Sequence, residues 1–274
     1  MEERRNAGWI LVMPEAALVL AKGGCSASVG WGRGMNEIIP HPHRCVTPGC
    51  SLFCGRYLWK GRDFASYCGV SGTFECMNGI ISAMDQFGWA TMAGCLNEGD
   101  GLLLSRECEE ARHKGEFRRA GVGRGASLAV HEDIRSDHVL WLVPGEATKE
   151  QQRYLDKLEG LRLALNQRFF LGLFEFEGHF AVYPKGAFYK AHLDRHSGTR
   201  ARIVTVILYL NPDWQPGDGG ELKLWTTIGD KTGAFVLIEP RMGTLVCFLS
   251  EDFWHEVLPA QKTRMSITGW FRER

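Results

Sequence analysis

The chain has 274 residues, with 32 basic and 32 acidic side chains and a pI near 7.1. This length accommodates one large domain, or one domain with an appendage. The balanced charge produces no overall field that would attract nucleic acid or an anionic membrane surface. No apolar run is long enough to span a membrane. We therefore expect neither a nucleic-acid partner nor a membrane partner.

The first quarter of the sequence differs from the rest. Residues 1–76 are rich in Gly, Cys, Trp and Arg without a sustained period, so we expect an extension of unknown structure, disordered or upstream of the true start. Six of the nine cysteines lie here, and the odd total argues against a regular disulfide framework. Residues 9–21 resemble the apolar part of a signal peptide, but Pro14 interrupts them and no net positive charge precedes them. Zinc-type donors between residues 41 and 54 have a spacing that matches no closed structural site.

Helical patterns follow this extension. Residues from Met77 onward open with a helix, so Met77 is an alternative start and we place a single domain over 77–274. A second helical segment, 98–117, has a loosely apolar face formed by Leu102, Leu103, Cys108 and Ala111.

The third helical segment carries the firmest signals. Thr148 and Gln151 form a capping-box signature. Apolar residues then recur at helical spacing at Tyr154, Leu155, Leu158, Leu161, Leu165 and Phe169. We expect this stripe to pack on the outside of the main sheet. The preceding residues 118–133 are rich in Gly and Arg and are predicted to form a mobile loop that covers the substrate.

The rest of the chain predicts a β-structure. Between about 175 and 272 the sequence divides into about eight short aromatic and β-branched segments, each ended by Gly, Pro, Asp or Asn. Strands this short, without intervening helices, favour a sandwich or barrel over βαβ units. The predicted fold class is mainly β with supporting α-helices.

Three candidate metal ligands lie among these strands. His192 and Asp194 occupy positions i and i+2 of a predicted strand, so their side chains share one face with Leu193 opposed. His255 lies in a later strand, and Arg264 follows nine positions after it. Two imidazoles and a carboxylate on one side of a metal suit a non-haem Fe(II) that binds a cosubstrate and O₂ together. Arg264 can hold the far carboxylate of a dicarboxylate cosubstrate.

Other residues have ordinary explanations. A single His on a strand is usually a surface group or a core residue, so we do not expect His138, His179 or His196 to bind metal. The aromatic rings of Tyr209 and Trp270 suit barrel packing as well as they suit a role at the cosubstrate.

The stretch from about Asp133 to Phe271 resembles a known family. It is similar to the prolyl 4-hydroxylase branch of the 2-oxoglutarate and Fe(II)-dependent oxygenases, and most similar to the oxygen-sensing prolyl hydroxylases and their bacterial relatives. The segments that carry the resemblance are IRSDHVLWL (134–142), VYPKGAFYKAHLD (182–194), RIVTVILYLNPDW (202–214), GGELKLW (219–225), IEPRMGTLVCFLS (238–250) and HEVLPAQKTRMSITGWF (255–271). The resemblance implies the double-stranded β-helix, or jelly roll, of that family.

The resemblance also implies roles for individual residues. It makes His192, Asp194 and His255 the iron ligands. Arg264 and Tyr209 would bind the C5 carboxylate of 2-oxoglutarate. The remaining positions are Tyr183 near the metal-binding end of the cosubstrate, Thr268 on the last strand, Arg202 and Trp270 at the substrate entrance, and Arg135 and Asp137 flanking a loop over the peptide.

The reaction and its partners follow from the same resemblance. It implies hydroxylation of a prolyl residue in a protein substrate, with 2-oxoglutarate converted to succinate and CO₂, O₂ as cosubstrate and ascorbate as reductant. Fe(II) and 2-oxoglutarate indicate a reducing, cytoplasmic location. Bacterial relatives suggest a translation factor such as elongation factor Tu as the target. Two alternatives remain, namely a hydroxylase of a free amino acid or other small molecule, and a catalytically silent barrel that acts as a binding module.

Overall fold

The computed structural model describes residues 73–121, 131, 133–195 and 202–274. Its helices are α1 (Thr73–Phe87), α2 (Glu98–His113) and α3 (Lys149–Phe169). Its strands are β1 (Trp89–Met92), β2 (Arg118–Arg119), β3 (His138–Trp141), β4 (Glu175–Tyr183), β5 (Tyr189–His192), β6 (Arg202–Tyr209), β7 (Leu222–Trp225), β8 (Phe235–Ile238), β9 (Leu245–Leu249), β10 (His255–Val257) and β11 (Arg264–Arg272). The predicted signal-like segment, zinc-type cluster and His196 lie outside the described residues.

The strands form two antiparallel sheets. The major sheet has seven strands in the order β1-β9-β6-β11-β4-β3-β2, and the minor sheet has four in the order β5-β10-β7-β8. From β4 to β11 the chain crosses repeatedly between the sheets, with β4, β6, β9 and β11 in the major sheet and the others in the minor sheet. This alternation is the double-stranded β-helix, so the predicted jelly-roll fold with supporting helices is confirmed.

The major sheet has two buried faces, and strand alternation decides which residues occupy each. On β4, Phe180 and Val182 pack against the helices, whereas Ala181 and Tyr183 point between the sheets. The same alternation places Tyr209 of β6 between the sheets. The odd-numbered residues of β4 and β6 and the even-numbered residues of β11 therefore share the inner face of the barrel.

Helix α3 confirms the prediction made from its sequence. Thr148 is its N-cap and accepts a hydrogen bond from the Gln151 N–H at 3.2 Å. The Gln151 amide does not return to Thr148 but donates to Glu107 of α2, which also accepts from the Thr148 hydroxyl at 2.9 Å. The buried stripe consists of Tyr154, Leu158, Leu161 and Leu165.

Three local predictions need correction. On α2 the buried face contains Leu104, Cys108 and Ala111, and Leu103 is 41% exposed because it does not share their helical spacing. The helix begins at Glu98 and ends at His113 instead of reaching Phe117. The first residues of the segment predicted to be a mobile loop form a strand. Arg118 and Arg119 form β2, which pairs with β3 at the edge of the major sheet, and residues 122–130 lie outside the described part of the chain. The helix expected from Met77 begins at Thr73.

Three described cysteines differ in their bonding. Cys95 is disulfide-bonded, whereas Cys108 and Cys247 are buried free thiols whose pKa values burial raises to about 12. The odd cysteine total therefore does not exclude an individual bridge.

None of the described helices combines the length and apolarity that a membrane crossing requires.

The close approach of β4 and β11 depends on Gly269. It lies opposite Gly178, and a Cβ at Gly269 would collide with the Phe176 ring and lie 2.8 Å from the Gly178 Cα. We expect Gly269→Ala to destabilise the protein by about 1–3 kcal/mol, because the central pair of strands must separate. Gly99→Ala is the control, since its Cβ would meet only an Asn97 oxygen at 3.4 Å. Denaturant unfolding measures both, and equal stabilities would contradict this account.

Candidate metal and cosubstrate site

The two candidate histidine ligands face each other in the minor sheet. His192 ends β5 and pairs directly with His255, the first residue of β10. Asp194 lies just beyond β5, in a bend instead of the predicted strand. One donor atom from each of His192, Asp194 and His255 lies within 4.8 Å of the others. This spacing allows a single metal ion to contact all three side chains.

Backbone carbonyls set the orientation of both imidazoles. Nδ1 of His192 donates to the Lys190 carbonyl at 2.8 Å, and Nδ1 of His255 donates to the Phe253 carbonyl at 3.1 Å. Each bond places the ring proton on Nδ1 and leaves the Nε2 lone pair for a metal. Burial and the neighbouring His192 lower the pKa of His255 to about 4, so His255 is neutral near pH 7.

The carboxylate completes the donor set. Oδ1 of Asp194 lies 3.5 Å from Nε2 of His192, and Oδ2 lies 3.5 Å from Nε2 of His255. Burial of Asp194 opposes its ionisation. The two histidines and the indole N–H of Trp270 outweigh that effect and hold the pKa of Asp194 well below its usual range. Two imidazoles and one carboxylate fit a divalent iron with open coordination positions.

Arg264 is a buried cation without an anion. Its side chain is 2% exposed, and its Nε donates to the Gly220 carbonyl at 2.9 Å. The guanidinium carbon lies 4.9 Å from the ring centres of both Tyr183 and Tyr209. Within the described ranges no Asp or Glu forms an ion pair with Arg264. A buried guanidinium is costly unless it is paired, so this position is suited to receive a carboxylate ligand.

Tyr209, beside Arg264, has a buried hydroxyl that can bind a ligand. The Tyr209 hydroxyl is buried without a hydrogen-bond partner among the residues described, and burial raises its pKa although Arg264 opposes the shift. The Thr268 hydroxyl lies 3.2 Å from that of Ser266 and lines the same cavity. A carboxylate at Arg264 would give Tyr209 an acceptor. The residues present therefore fit a dicarboxylate such as 2-oxoglutarate.

Arg202 and Trp270 form one wall of the opening. The Arg202 guanidinium stacks on the Trp270 ring at 3.4 Å and donates to Glu177 at 2.8 Å. His179 lies beside them, 5.5 Å from Trp270 and 4.8 Å from Trp141 between ring centres. The His179 side chain is buried, and its Nδ1 has no partner among the described atoms.

Arg135 and Asp137 are paired with each other. The Arg135 guanidinium binds both carboxylate oxygens of Asp137, at 2.7 and 2.6 Å. It also lies 4.2 Å from the Tyr189 ring, which stacks on His192 at 3.5 Å between centres. The side chain of Asp137 is fully buried and does not line the cavity. From this position Asp137 can orient Arg135, which in turn contacts Tyr189. It is not placed to touch a substrate in the cavity.

These groups open into one cavity of about 590 Å³. It is lined by the metal-ligand set, Arg264, Thr268, Tyr183, Arg202, Trp270, Arg135 and the residues of β2 and β3. The structure thus brings together the predicted site residues, with Asp137 and Tyr209 immediately behind the surface.

Sequence reasoning missed three residues of this site. His179 was treated as an ordinary histidine, yet its odd position on β4 places it on the inner face with Tyr183. Tyr189 lies three positions before His192 at the start of β5, and no pattern in the sequence assigns it to the site. Thr205 donates to Asp194 at 2.8 Å, a contact between β6 and the bend after β5 that no local pattern predicts.

The fold and donor set define a mononuclear non-haem metal protein of the oxygenase type. Comparison with known proteins agrees with this class. The profile of the 2OG-Fe(II) oxygenase superfamily matches residues 178–272. A Pseudomonas putida prolyl-4-hydroxylase is 42% identical, with 72% of this chain and 99% of that chain covered and a TM-score of 0.65.

More distant relatives point the same way. A Trichoplax adhaerens prolyl hydroxylase, solved with a peptide fragment of the hypoxia-inducible factor oxygen degradation domain, is 26% identical over 73% of this chain and 90% of that chain, with a TM-score of 0.64. The human protein Egl nine homolog 1 is 30% identical over 70% of this chain. The chain spans 45% of that protein and 28% of the Caenorhabditis elegans hypoxia-inducible factor prolyl hydroxylase.

The chain belongs to the 2OG-Fe(II) oxygenase superfamily, in its prolyl hydroxylase branch. Members of this superfamily use Fe(II), 2-oxoglutarate and O₂. The His-Asp-His cluster is the iron site of this chain.

We expect Arg264→Ala to weaken 2-oxoglutarate binding by about 2–4 kcal/mol, the range for removing one partner of a buried, hydrogen-bonded charge pair. Metal affinity should change much less, because Arg264 is not a ligand. The control is Arg241→Ala, since Arg241 pairs with Glu239 on the surface. Titration of the metal-loaded protein with 2-oxoglutarate measures the effect. An affinity equal to that of the control would mean that another cation holds the cosubstrate.

The buried His179 predicts a pH dependence of stability. Burial, aided by Arg135, lowers its pKa from 6.5 to about 3. Between these values the unfolded chain binds a proton that the folded chain does not, so stability falls as the pH drops through 6.5. From pH 7 to pH 5 this amounts to about 2 kcal/mol. His179→Leu should lose that much less stability over the same interval in denaturant unfolding. A parallel loss in both proteins would show that His179 protonates normally.

Proposed function

We propose that this protein is a 2-oxoglutarate- and Fe(II)-dependent dioxygenase that hydroxylates a prolyl residue in a protein substrate. The observation that carries the proposal is the combination, in one cavity, of the metal-ligand set and a buried Arg264 that pairs with no carboxylate of the described residues. The 42% identity to a Pseudomonas prolyl-4-hydroxylase along nearly all of that chain supports the prolyl reaction.

Each group has a defined task in this proposal. His192, Asp194 and His255 hold the iron, which when bound supplies the oxidising chemistry that couples 2-oxoglutarate decarboxylation to C–H hydroxylation. Arg264 and Tyr209 bind the C5 carboxylate of 2-oxoglutarate by charge-assisted hydrogen bonds. The remaining cosubstrate contacts are proposed for Tyr183, beside Arg264, and for Thr268 on the same face of β11.

The opening favours a peptide over a free amino acid. The cavity of about 590 Å³ extends from the iron ligands past Arg202 and Trp270 to the edge formed by β2 and β3. Trp141 on β3 is 47% exposed beside this opening. An elongated wall of this kind can contact several residues on either side of a proline. The Trichoplax relative solved with a peptide supports the same choice.

The complete ligand set favours an enzyme over a catalytically silent barrel. Both imidazoles present free Nε2 atoms, and the carboxylate is ionised. A binding module has no need of an unpaired buried cation placed beside such a site. Hydroxylation of a small molecule remains the second candidate, since it would use the same metal and cosubstrate contacts.

Finer features of the proposal rest on the relatives. We propose ascorbate as the reductant that keeps the iron in its divalent state, and a cytoplasmic location for the reaction. A translation factor such as elongation factor Tu is the proposed substrate. Residues 77–274 are proposed as the dioxygenase domain, with residues 1–76 as an N-terminal extension.

Mass spectrometry tests the reaction directly. The protein is incubated with Fe(II), 2-oxoglutarate, ascorbate and a cytoplasmic lysate, with Asp194→Ala as the inactive control. We expect a gain of one oxygen atom on a proline of a specific peptide, accompanied by succinate. Oxygen found only on free amino acids would replace the protein substrate with a small one, and succinate formed equally by Asp194→Ala would contradict the iron assignment.

The roles of the opening can be separated from those of the iron. We expect Arg202→Ala to reduce peptide hydroxylation by about 10-fold or more, while 2-oxoglutarate decarboxylation without peptide changes little. Substrate positioning lost away from the reacting centre has this effect. Arg272→Ala is the matched control, because Arg272 also binds Glu177, at 2.6 Å, but does not line the cavity. Equal effects of the two substitutions would assign the loss to Glu177 instead.

A further inference from the structure

Two buried hydroxyl groups lie behind the metal-binding carboxylate. Thr205 of β6 donates from Oγ1 to Oδ2 of Asp194 at 2.8 Å. Oγ of Ser250, just after β9, lies 2.9 Å from Oγ1 of Thr205. Both residues are fully buried. Neither residue lines the cavity, so both act on the site through Asp194.

Counting protons fixes the direction of both hydrogen bonds. A hydroxyl group carries one proton and can accept through its lone pairs. The ionised Asp194 can only accept, so the Thr205 proton points to Asp194. The Thr205 oxygen must then accept, and Ser250 must donate to it. Ser250 therefore fixes the rotation of the Thr205 hydroxyl.

The two carboxylate oxygens of Asp194 are thus not equivalent. Oδ2 accepts from Thr205, whereas Oδ1 faces Nε2 of His192 at 3.5 Å. An oxygen engaged by a strong donor is a poorer metal ligand. A carboxylate that used both oxygens would occupy one of the positions that the cosubstrate and O₂ require.

We propose that Thr205, aligned by Ser250, is a positioning residue that makes Asp194 bind the metal through one oxygen. The backbone supports the same arrangement. The Arg195 N–H donates to the Ser250 carbonyl at 3.4 Å, and the Arg195 side chain pairs with Glu251 at 2.6 Å. The bend that carries Asp194 is therefore attached to the end of β9 through backbone and side chains.

The inference rests on the iron site but not on the identity of the substrate, so metal affinity tests it without a substrate. Co(II) serves as an air-stable probe, and competition with a chelator gives its affinity. Thr205→Val replaces the hydroxyl by a methyl group of similar size and should weaken Co(II) binding by about 10- to 100-fold, the usual effect of losing a partner of a metal ligand. Thr205→Ser retains the hydroxyl and should bind Co(II) more nearly like the wild type.

Two further variants separate positioning from general stability. Ser250→Ala leaves the Thr205 hydroxyl in place but free to rotate, so we expect a loss smaller than that of Thr205→Val. Thr226→Val is the control, because the Thr226 hydroxyl donates at 3.2 Å to the Ala234 carbonyl and not to a ligand. It should leave Co(II) affinity unchanged even if it lowers the melting temperature.

The affinity of the Co(II)-loaded protein for 2-oxoglutarate gives an independent readout. It should fall in Thr205→Val, because a carboxylate bound through both oxygens competes for a cosubstrate position, and the visible Co(II) spectrum should change with the coordination. Thr205→Val with a lowered melting temperature but wild-type Co(II) affinity and spectrum would overturn the inference. Failure of the wild type to bind Co(II) would instead overturn the proposed function, on which the inference rests.

Discussion

The pairing of β5 with β10 is the interaction on which the site depends. Both strands are short, with four and three residues, and their register places His192 directly opposite His255. The orientation of each ring is a local matter, because each Nδ1 donates to a carbonyl two residues earlier in the chain. Their proximity is not local, since it requires the minor sheet to form. A shift of register by one residue would turn one imidazole to the opposite face.

The two sheets contribute different parts of the chemistry. The minor sheet supplies the imidazoles, whereas the inner face of the major sheet supplies Arg264, Tyr209 and the wall around Trp270. The major sheet is also stabilised on its outer face by groups that do not line the cavity. On the major sheet these are the apolar contacts between Phe180, Val182 and the helices. This outer apolar packing offsets the unfavourable free energy of burying polar groups on the inner face.

That inner face retains unsatisfied polarity. The Tyr209 hydroxyl and the Nδ1 of His179 are buried without hydrogen-bond partners among the described atoms, and no carboxylate of the described residues pairs with Arg264. Leaving a buried donor or acceptor unpaired costs about 1–3 kcal/mol. A protein selected for stability alone would have little use for several such groups in one place. Their concentration beside the metal-ligand set indicates that the site is preorganised for an anionic, hydrogen-bonding ligand.

The sequence by itself determined the strand-rich fold class, the α3 helix with its Thr148 cap, and the candidate ligands His192, Asp194 and His255. These depend on periodicity, capping and donor chemistry, which are local properties. It did not determine the limits of α2, the pairing of Asp137 with Arg135, or the place of His179 and Thr205 in the site. Those features depend on which faces of β4 and β6 turn inward and on contacts between strands distant in the chain. Only the tertiary structure decided them, because a hydrogen bond such as that from Thr205 to Asp194 joins two separate elements and corresponds to no periodic pattern in the sequence.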